Sequence, residues 1–394
     1  MTPTFRLGRV AGIEVGANWS WLLVVALIVW SLAAGVFPDS NPGLSDGTYL
    51  AMAVVAALLF FVSLFLHELG HALQAQRDGV AIEGITLWVF GGVARFRGEI
   101  PSAGAELRIA AAGPAVSLVI GAACLAFAVL VPLPSAVDGV LHWLGYINLV
   151  LLVFNLIPAF PLDGGRILRA LLWRASGDRR AATRVAAAAG QGFGILLIVT
   201  GFFVAAFGAV FGGLWLAFVG FFLLSAAEAE VNMAEAHMAL TGVRVAEVMV
   251  AEPVTADAGM SLQRFIDEIF FAHRYTAYPV VMDGETVGLI SFRDALPVPR
   301  DRWPWVLVRE RARPRDEILV VDAASDLADV VPELARHELR RALVRVDGRA
   351  TGLLSMTDVG RVLEVLTVGR AATTLAAERQ KRFTRTGRPA LPRT

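Results

Sequence analysis

The sequence predicts a polytopic α-helical membrane domain of six transmembrane helices with a small membrane-associated β element, followed by a soluble α/β module of two tandem units. Three observations point there. Apolar residues make up 56% of the 394 positions and are concentrated between Ala17 and Ala227, where charge is confined to short patches. Arginine gathers in alternate connections between the apolar segments. Beyond Thr241 the composition is that of an ordinary soluble domain, and it contains an internal repeat. The 35 basic and 35 acidic residues cancel, which removes the electrostatic footprint of a nucleic-acid partner. Cys124 is the only cysteine, so no intramolecular disulfide frames either part.

At roughly 20 apolar residues per crossing, the spans are expected at Trp19 to Phe37, Leu50 to Gln74, Ile109 to Val131, Val140 to Ile157, Val185 to Phe207 and Leu214 to Ala227. Arg6 and Arg9 precede the first span and no small-residue cleavage site follows it, so it reads as a retained span rather than a signal peptide. Arg6 and Arg9, then Arg77, Arg95, Arg97 and Arg108, then Arg166, Arg169, Arg174, Arg179, Arg180 and Arg184 fall in every second connection. The connections Pro38 to Tyr49, Pro132 to Gly139 and Gly208 to Gly213 contain no Lys or Arg. Positive charge is retained on the cytosolic side, so both termini of a multi-pass cell-membrane protein are expected in the cytosol.

Between the second and third spans, Ile82 to Phe96 is too short and too polar to cross. Its β-branched and aromatic residues around Gly91-Gly92 predict a strand pair dipping into the membrane face, which is tolerated there only against protein or a wet cavity; the plainer alternative is a surface hairpin on the cytosolic side. In the soluble part, Val281 to Ala295 (VMDGETVGLISFRDA) and Val346 to Val359 (VDGRATGLLSMTDV) share a strand, a DG turn, a second strand and a helix beginning near an Asp. Upstream, Pro253-Val254-Thr255 with Ser261 to Ala272 corresponds to Ile318 to Val321 with Ser325 to Arg336. Two βαββα units result. The divisions expected are a membrane domain at 1–235, units at 243–297 and 312–366, and a basic, disordered tail at 376–394.

The chemistry begins at His67-Glu68-Leu69-Gly70-His71, inside the second span. Positions i and i+4 share a helix face, so His67 and His71 can both reach one Zn²⁺ while Glu68 reaches its bound water as general base. A buried charge in hydrocarbon costs about 2.5 to 3.5 kcal/mol at the bilayer centre, so two histidines and a glutamate at this depth call for a function. A catalytic zinc needs a third protein ligand. Asp163, in Asn155-Leu-Ile-Pro158-Ala-Phe-Pro161-Leu162-Asp163-Gly164-Gly165, is the best candidate. Pro158 and Pro161 break the fourth helix, and Gly164-Gly165 permit backbone turns that would bring the carboxylate back. The plainer role for Asp163 is to cap a helix beginning at Arg166.

HELGH in one span followed by NLIPAFPLDGGR resembles the site-2 protease family of intramembrane zinc metalloproteases. Gly91-Gly92 and Ala112-Gly113-Pro114 look like its accessory motifs, and Leu7 to Trp21 is similar to members with six spans. The resemblance covers roughly residues 5 to 235. It implies one zinc ion per chain held by His67, His71 and Asp163, with Glu68 as general base and Asn155 binding substrate or the oxyanion. Asn155 could instead satisfy backbone freed by Pro158. The family likeness also implies substrates that are single-span membrane proteins, such as anti-sigma factors, cut after a first shortening cleavage.

The repeated Gly288-Leu-Ile-Ser291-Phe-Arg-Asp294 and Gly352-Leu-Leu-Ser355-Met-Thr-Asp358 resemble the ligand-facing motif of cystathionine-β-synthase (CBS) domains. By that resemblance Asp294 and Asp358 would contact ribose hydroxyls of an adenine nucleotide, Ser291 and Ser355 its phosphates, and the pair could form a homodimer. Helix capping is the plainer role for all four. A second class of function, a membrane metal transporter or sensor gated by the CBS pair, needs neither a Glu between two His nor an LDGG turn. His237, His273 and His337 have no partners at metal-ligand spacing.

Overall fold

The computed structural model describes residues 4–88, 91–97, 100–273 and 275–366. The tail expected at 376–394 lies outside them. The chain separates into two compact units, Met1–Ala234 and Glu235–Thr394.

The first unit opens with an antiparallel hairpin of β1 (Phe5–Val10) and β2 (Ile13–Ala17). Its two-residue turn places Ala11 at φ 51° and Gly12 at φ 80°, the double left-handed geometry that matches strand twist. Helices α1 (Ser20–Ser40) and α2 (Asp46–Arg77) follow, then strands β3 (Ala81–Trp88) and β4 (Gly91–Arg97). Next come α3 (Ala103–Leu130), α4 (Ser135–Asn155), α5 (Asp163–Ser176), α6 (Arg179–Ala206) and α7 (Val210–Leu240). All but α5 are long and apolar enough to cross a bilayer, six helices in all. Trp30, Val129, Leu130, Phe203 and Phe211 stay exposed on them, a surface suited to lipid tails rather than water.

Helices α2, α3 and α6 begin before the apolar stretch that announced them, and polar caps satisfy the first amides there. Ser45 Oγ accepts from Thr48 N at 3.2 Å, and Ser102 Oγ from Ala105 N at 3.2 Å. The Asp178 carboxylate accepts from Arg180 N and Ala181 N, so the arginines at 179, 180 and 184 belong to the first turns of α6 rather than to a loop. Arg108 lies within α3, paired with Asp78. Arg169 is no free connection charge either. It is buried on α5.

The expected strand pair is present, but it is half of a larger sheet in the order β1-β2-β3-β4, with β2 parallel to β3. The N-terminal hairpin escaped sequence reading because its short alternation runs straight into the first span.

In the second unit, β5 (Ala256–Asp257), β6 (Ala277–Met282), β7 (Glu285–Ser291) and β8 (Arg313–Pro314) form one sheet. β9 (Leu319–Asp322), β10 (Arg341–Val346) and β11 (Arg349–Ser355) form another. The repeat is faithful to small details. Asp283-Gly284 and Asp347-Gly348 both adopt positive φ, and each hairpin carries a bulge at the same place, between Val280 and Val281 and between Val344 and Arg345. The first copy opens three residues later than expected, at Ala256. Helix α8 (Leu327–Arg336) packs Leu327, Val330 and Leu334 into one core, while Leu262, Phe265 and Ile266 do the same in the first copy. A third cluster, with Leu289, Ile318, Leu343 and Leu353, joins the copies, and Thr286 Oγ1 donates to Ala350 O across it at 2.7 Å.

Candidate metal centre

His67 and His71 lie on one face of α2, both buried. Asp163 is the first residue of α5 and is 9% exposed. The segment between α4 and α5 folds back through Pro158 and a cis Phe160–Pro161 bond. Gly164 and Gly165 serve this turn by close approach, not by unusual dihedral angles as the sequence suggested. A Cβ on Gly164 would sit 2.3 Å from Ile157 O, and one on Gly165 2.5 Å from the Ala159 carbonyl carbon. Asp163 does not cap α5 from outside; the residue before the helix is Leu162. Its carboxylate at a helix N-terminus is favoured by the helix dipole.

The convergence is tight. His67 Nε2 to His71 Nε2, His67 Nε2 to Asp163 Oδ2 and His71 Nε2 to Asp163 Oδ2 are each 3.2 Å. Zinc–nitrogen bonds of about 2.0–2.1 Å at a tetrahedral angle separate neighbouring donors by about 3.3–3.4 Å, so this triangle has the edge length of a tetrahedral zinc site. Nδ1 of His71 lies 2.7 Å from Ile109 O. A carbonyl only accepts, so Nδ1 carries the proton and Nε2 keeps its lone pair for a metal. His67 Nδ1 meets Ser117 Oγ at 2.9 Å, the same outer support from a hydroxyl. Acceptors that converge this closely suit a shared cation, and among the described residues His67, His71 and Asp163 form the cluster that could hold one.

Three neighbours complete the surroundings. The α3 backbone closes one side, since a Cβ on Gly113 would lie 2.2 Å from His71 Nε2 and 2.6 Å from His67 Nε2. Glu68 packs against β4, where a Cβ on Gly92 would lie 2.3 Å from its Cγ. Arg166, one turn beyond Asp163, acts electrostatically on both carboxylates. Ser117, the Ile109 carbonyl and Arg166 were not singled out as site groups from the sequence. A hydroxyl at Ser117, four residues after Gly113 in an apolar span, was the available signal.

Asn155 ends α4, half-buried. Its side chain makes no hydrogen bond among the described residues, so it does not satisfy the backbone freed by Pro158. The fully buried amide of the same helix is Asn148, whose Nδ2 donates to Leu144 O at 2.9 Å.

The four repeat residues form two identical local boxes. Ser291 N and Oγ donate to Asp294 Oδ2 at 2.8 and 2.6 Å, and Ser355 N and Oγ to Asp358 Oδ2 at 3.1 and 2.5 Å. Asp294 is further paired with Arg313 at 3.4 Å, and Arg313 reaches Glu338 at 2.9 Å. Asp358 has Arg361 at 3.7 Å.

The pattern of peptidase family M50 matches residues 55–138 and 133–200, and that of the CBS domain matches 245–300 and 308–364. Rip3 of Mycobacterium tuberculosis, which carries a zinc metalloprotease name, is 36% identical over 96% of this chain and 98% of its own. A zinc metalloprotease of Methanocaldococcus jannaschii is 31% identical over 93% of this chain and 98% of its own. Among solved structures, a site-2 protease from the same archaeon is 34% identical, covering 58% of this chain and 94% of that one with a TM-score of 0.40. The two full-length relatives, spanning nearly the whole of both chains, place this multi-pass membrane protein: it is a zinc metalloprotease of peptidase family M50, the site-2 protease family, and carries a pair of CBS domains.

Proposed function

We propose that the protein is an intramembrane endopeptidase that hydrolyses peptide bonds of single-span membrane proteins, such as anti-sigma factors, and is regulated by its CBS pair in the cytosol. The observation that supports it most is the donor triangle of 3.2 Å edges built on α2, a helix apolar enough to cross the bilayer. His67, His71 and Asp163 would hold the ion through the two Nε2 lone pairs and one carboxylate oxygen. When bound, zinc supplies a Lewis acid that polarises the scissile carbonyl and lowers the pKa of a coordinated water.

Glu68 takes the proton of the attacking water and returns it to the leaving amine. Asn155 supplies an amide donor to the substrate or oxyanion. A helical substrate hides its carbonyls in i to i+4 bonds and must be unwound to be cut. The sheet order leaves β4 at an edge, and its Gly92 touches Glu68, so an unwound segment pairing with that edge would be held extended beside the general base. The arginine-free connections after the first, third and fifth spans support an orientation with both termini in the cytosol.

Wild type and Glu68→Gln, each assayed for bound zinc and for cleavage of candidate membrane substrates, test the reading. The variant is expected to keep zinc and lose cleavage; equal cleavage by both refutes the base.

The CBS pair we propose to bind an adenine nucleotide at the copy containing Asp358. That carboxylate is less engaged than Asp294, which pairs with Arg313 at 3.4 Å, whereas Asp358 has Arg361 at 3.7 Å. Arg341 also reaches across from this copy to Thr276 of the other. Calorimetric titration of the full chain with ATP, AMP and S-adenosylmethionine decides it: no heat and no thermal shift would leave the pair without such a ligand.

A further inference from the structure

The membrane unit contains a second buried polar cluster that the catalytic reading does not use. Glu106, in the first turn of α3, is 1% exposed, and Arg169, on α5, is 6% exposed. Arg169 Nε donates to Glu106 Oε1 at 2.6 Å, with Nη2 on the same oxygen, and Nη1 donates to Glu230 Oε1 of α7 at 3.2 Å. The guanidinium also lies 4.8 Å from the centroid of the Phe160 ring. Two carboxyl groups and one guanidinium buried together are not needed merely to pack helices. Buried ion pairs are often replaceable by apolar residues without loss of stability.

What the cluster connects is specific. Helix α3 carries the two groups that orient the histidines, the Ile109 carbonyl one turn after Glu106 and the Ser117 hydroxyl beyond it. Helix α5 carries Asp163 at its first position, about 9 Å along the axis from Arg169 at 1.5 Å per residue. The segment holding Phe160 leads from α4 into α5. Its backbone N–H donates to Ala186 O at 3.4 Å, and its ring packs with Ala186, Ala187 and Ala227 beneath Arg169. Arg169 is thus the polar link between the helix that orients the two imidazoles and the helix that delivers the carboxylate. Its planar fork can hold Glu106, Glu230 and the Phe160 face at once, which a lysine cannot do.

We propose that Arg169, held by Glu106 and Glu230, is a positioning residue that sets the Asp163 carboxylate at ligand distance from His67 and His71. This rests on the metal-ligand reading above. Outer groups that orient metal ligands change metal affinity by about 10- to 100-fold when removed, so the expected effect lies in that range.

The test uses full-length protein in detergent, with Co²⁺ as the probe. The affinity and the visible absorption of the saturated protein are measured beside the thermal midpoint of the metal-free protein. Arg169→Met alone leaves Glu106 buried without its cation and is expected to destabilise the unit. The informative variants are therefore Arg169→Lys and the paired Glu106→Gln/Arg169→Met, with Asp163→Asn as reference. Support is a metal-free midpoint near wild type with Co²⁺ affinity about 10-fold weaker or more and an altered absorption band, Arg169→Lys falling between wild type and the paired variant. If Asp163→Asn weakens Co²⁺ binding while both Arg169 variants bind and absorb as wild type does, this inference fails and the ligand assignment survives. If Asp163→Asn itself changes nothing, both fail. Collapse of the fold in both informative variants would make the cluster structural and also overturn the positioning role.

Discussion

The protein carries two sets of motif residues, and their surroundings differ in one respect. In the membrane unit, His67 and Asp163 are 96 residues apart in sequence, and the outer nitrogens of His67 and His71 are engaged by Ser117 and Ile109. Their inner atoms point at a common centre. In each CBS copy, by contrast, a serine and an aspartate three residues apart satisfy one another completely at Oδ2. A helix cap is enough to account for the second arrangement, whereas no local structural need brings three metal donors together inside an apolar bundle. The separation of orienting from reacting atoms marks the chemical site.

That contrast can be broken by substitution, and the largest effect belongs to Glu68. Glu68→Gln is expected to lower cleavage by about 100- to 10,000-fold, the span of general acid–base contributions, with zinc content unchanged by elemental analysis. Next comes Gly113→Ala. The added methyl would fall 2.2 Å from His71 Nε2, so metal affinity is expected to drop about 100-fold, at the upper end for disturbed ligand support, as read by competition with a chromophoric chelator. Ser117→Ala removes one hydrogen bond rather than occupying the site, and about a 10-fold loss is expected in the same measurement. Asp358→Ala should leave zinc and nucleotide-free cleavage untouched and cost about 1 kcal/mol of stability through the lost cap, seen as a lowered thermal midpoint of the full chain.

The smallest effect concerns pH. The Arg345 guanidinium beside Asp322 holds that exposed carboxyl below its ordinary value of 3.8. A depressed carboxyl contributes stability that is fully present above the ordinary value and is lost as pH falls through the lower, folded one. Arg345→Gln should therefore lower the thermal midpoint slightly at neutral pH and flatten its decline below about pH 4. An unchanged acid limb would remove the pair from the account.

Much of this was legible beforehand, for physical reasons. Six spans were visible because bilayer thickness imposes a length on apolar runs, and each of the six overlaps one observed helix. The DG turns announced both CBS hairpins because few residues accept positive φ twice in succession. What stayed hidden depends on contacts between distant segments. Arg169 read as a cytosolic charge because its proximity to other arginines in sequence says nothing of Glu106 and Glu230 in space. Gly164 and Gly165 read as flexible turn residues, when their role is to let carbonyls pass within a Cβ's radius. The β1–β2 hairpin was obscured by its length and by the apolar helix that begins three residues after it.

The order of the donors along the chain has a consequence for biogenesis. His67 and His71 leave the ribosome early, on the second span, but Asp163 follows the fourth. A nascent chain that has inserted two or three spans therefore owns a helix with paired imidazoles and no carboxylate to complete them. With the proposed ligand set, the site can be completed only after the fourth span has been made.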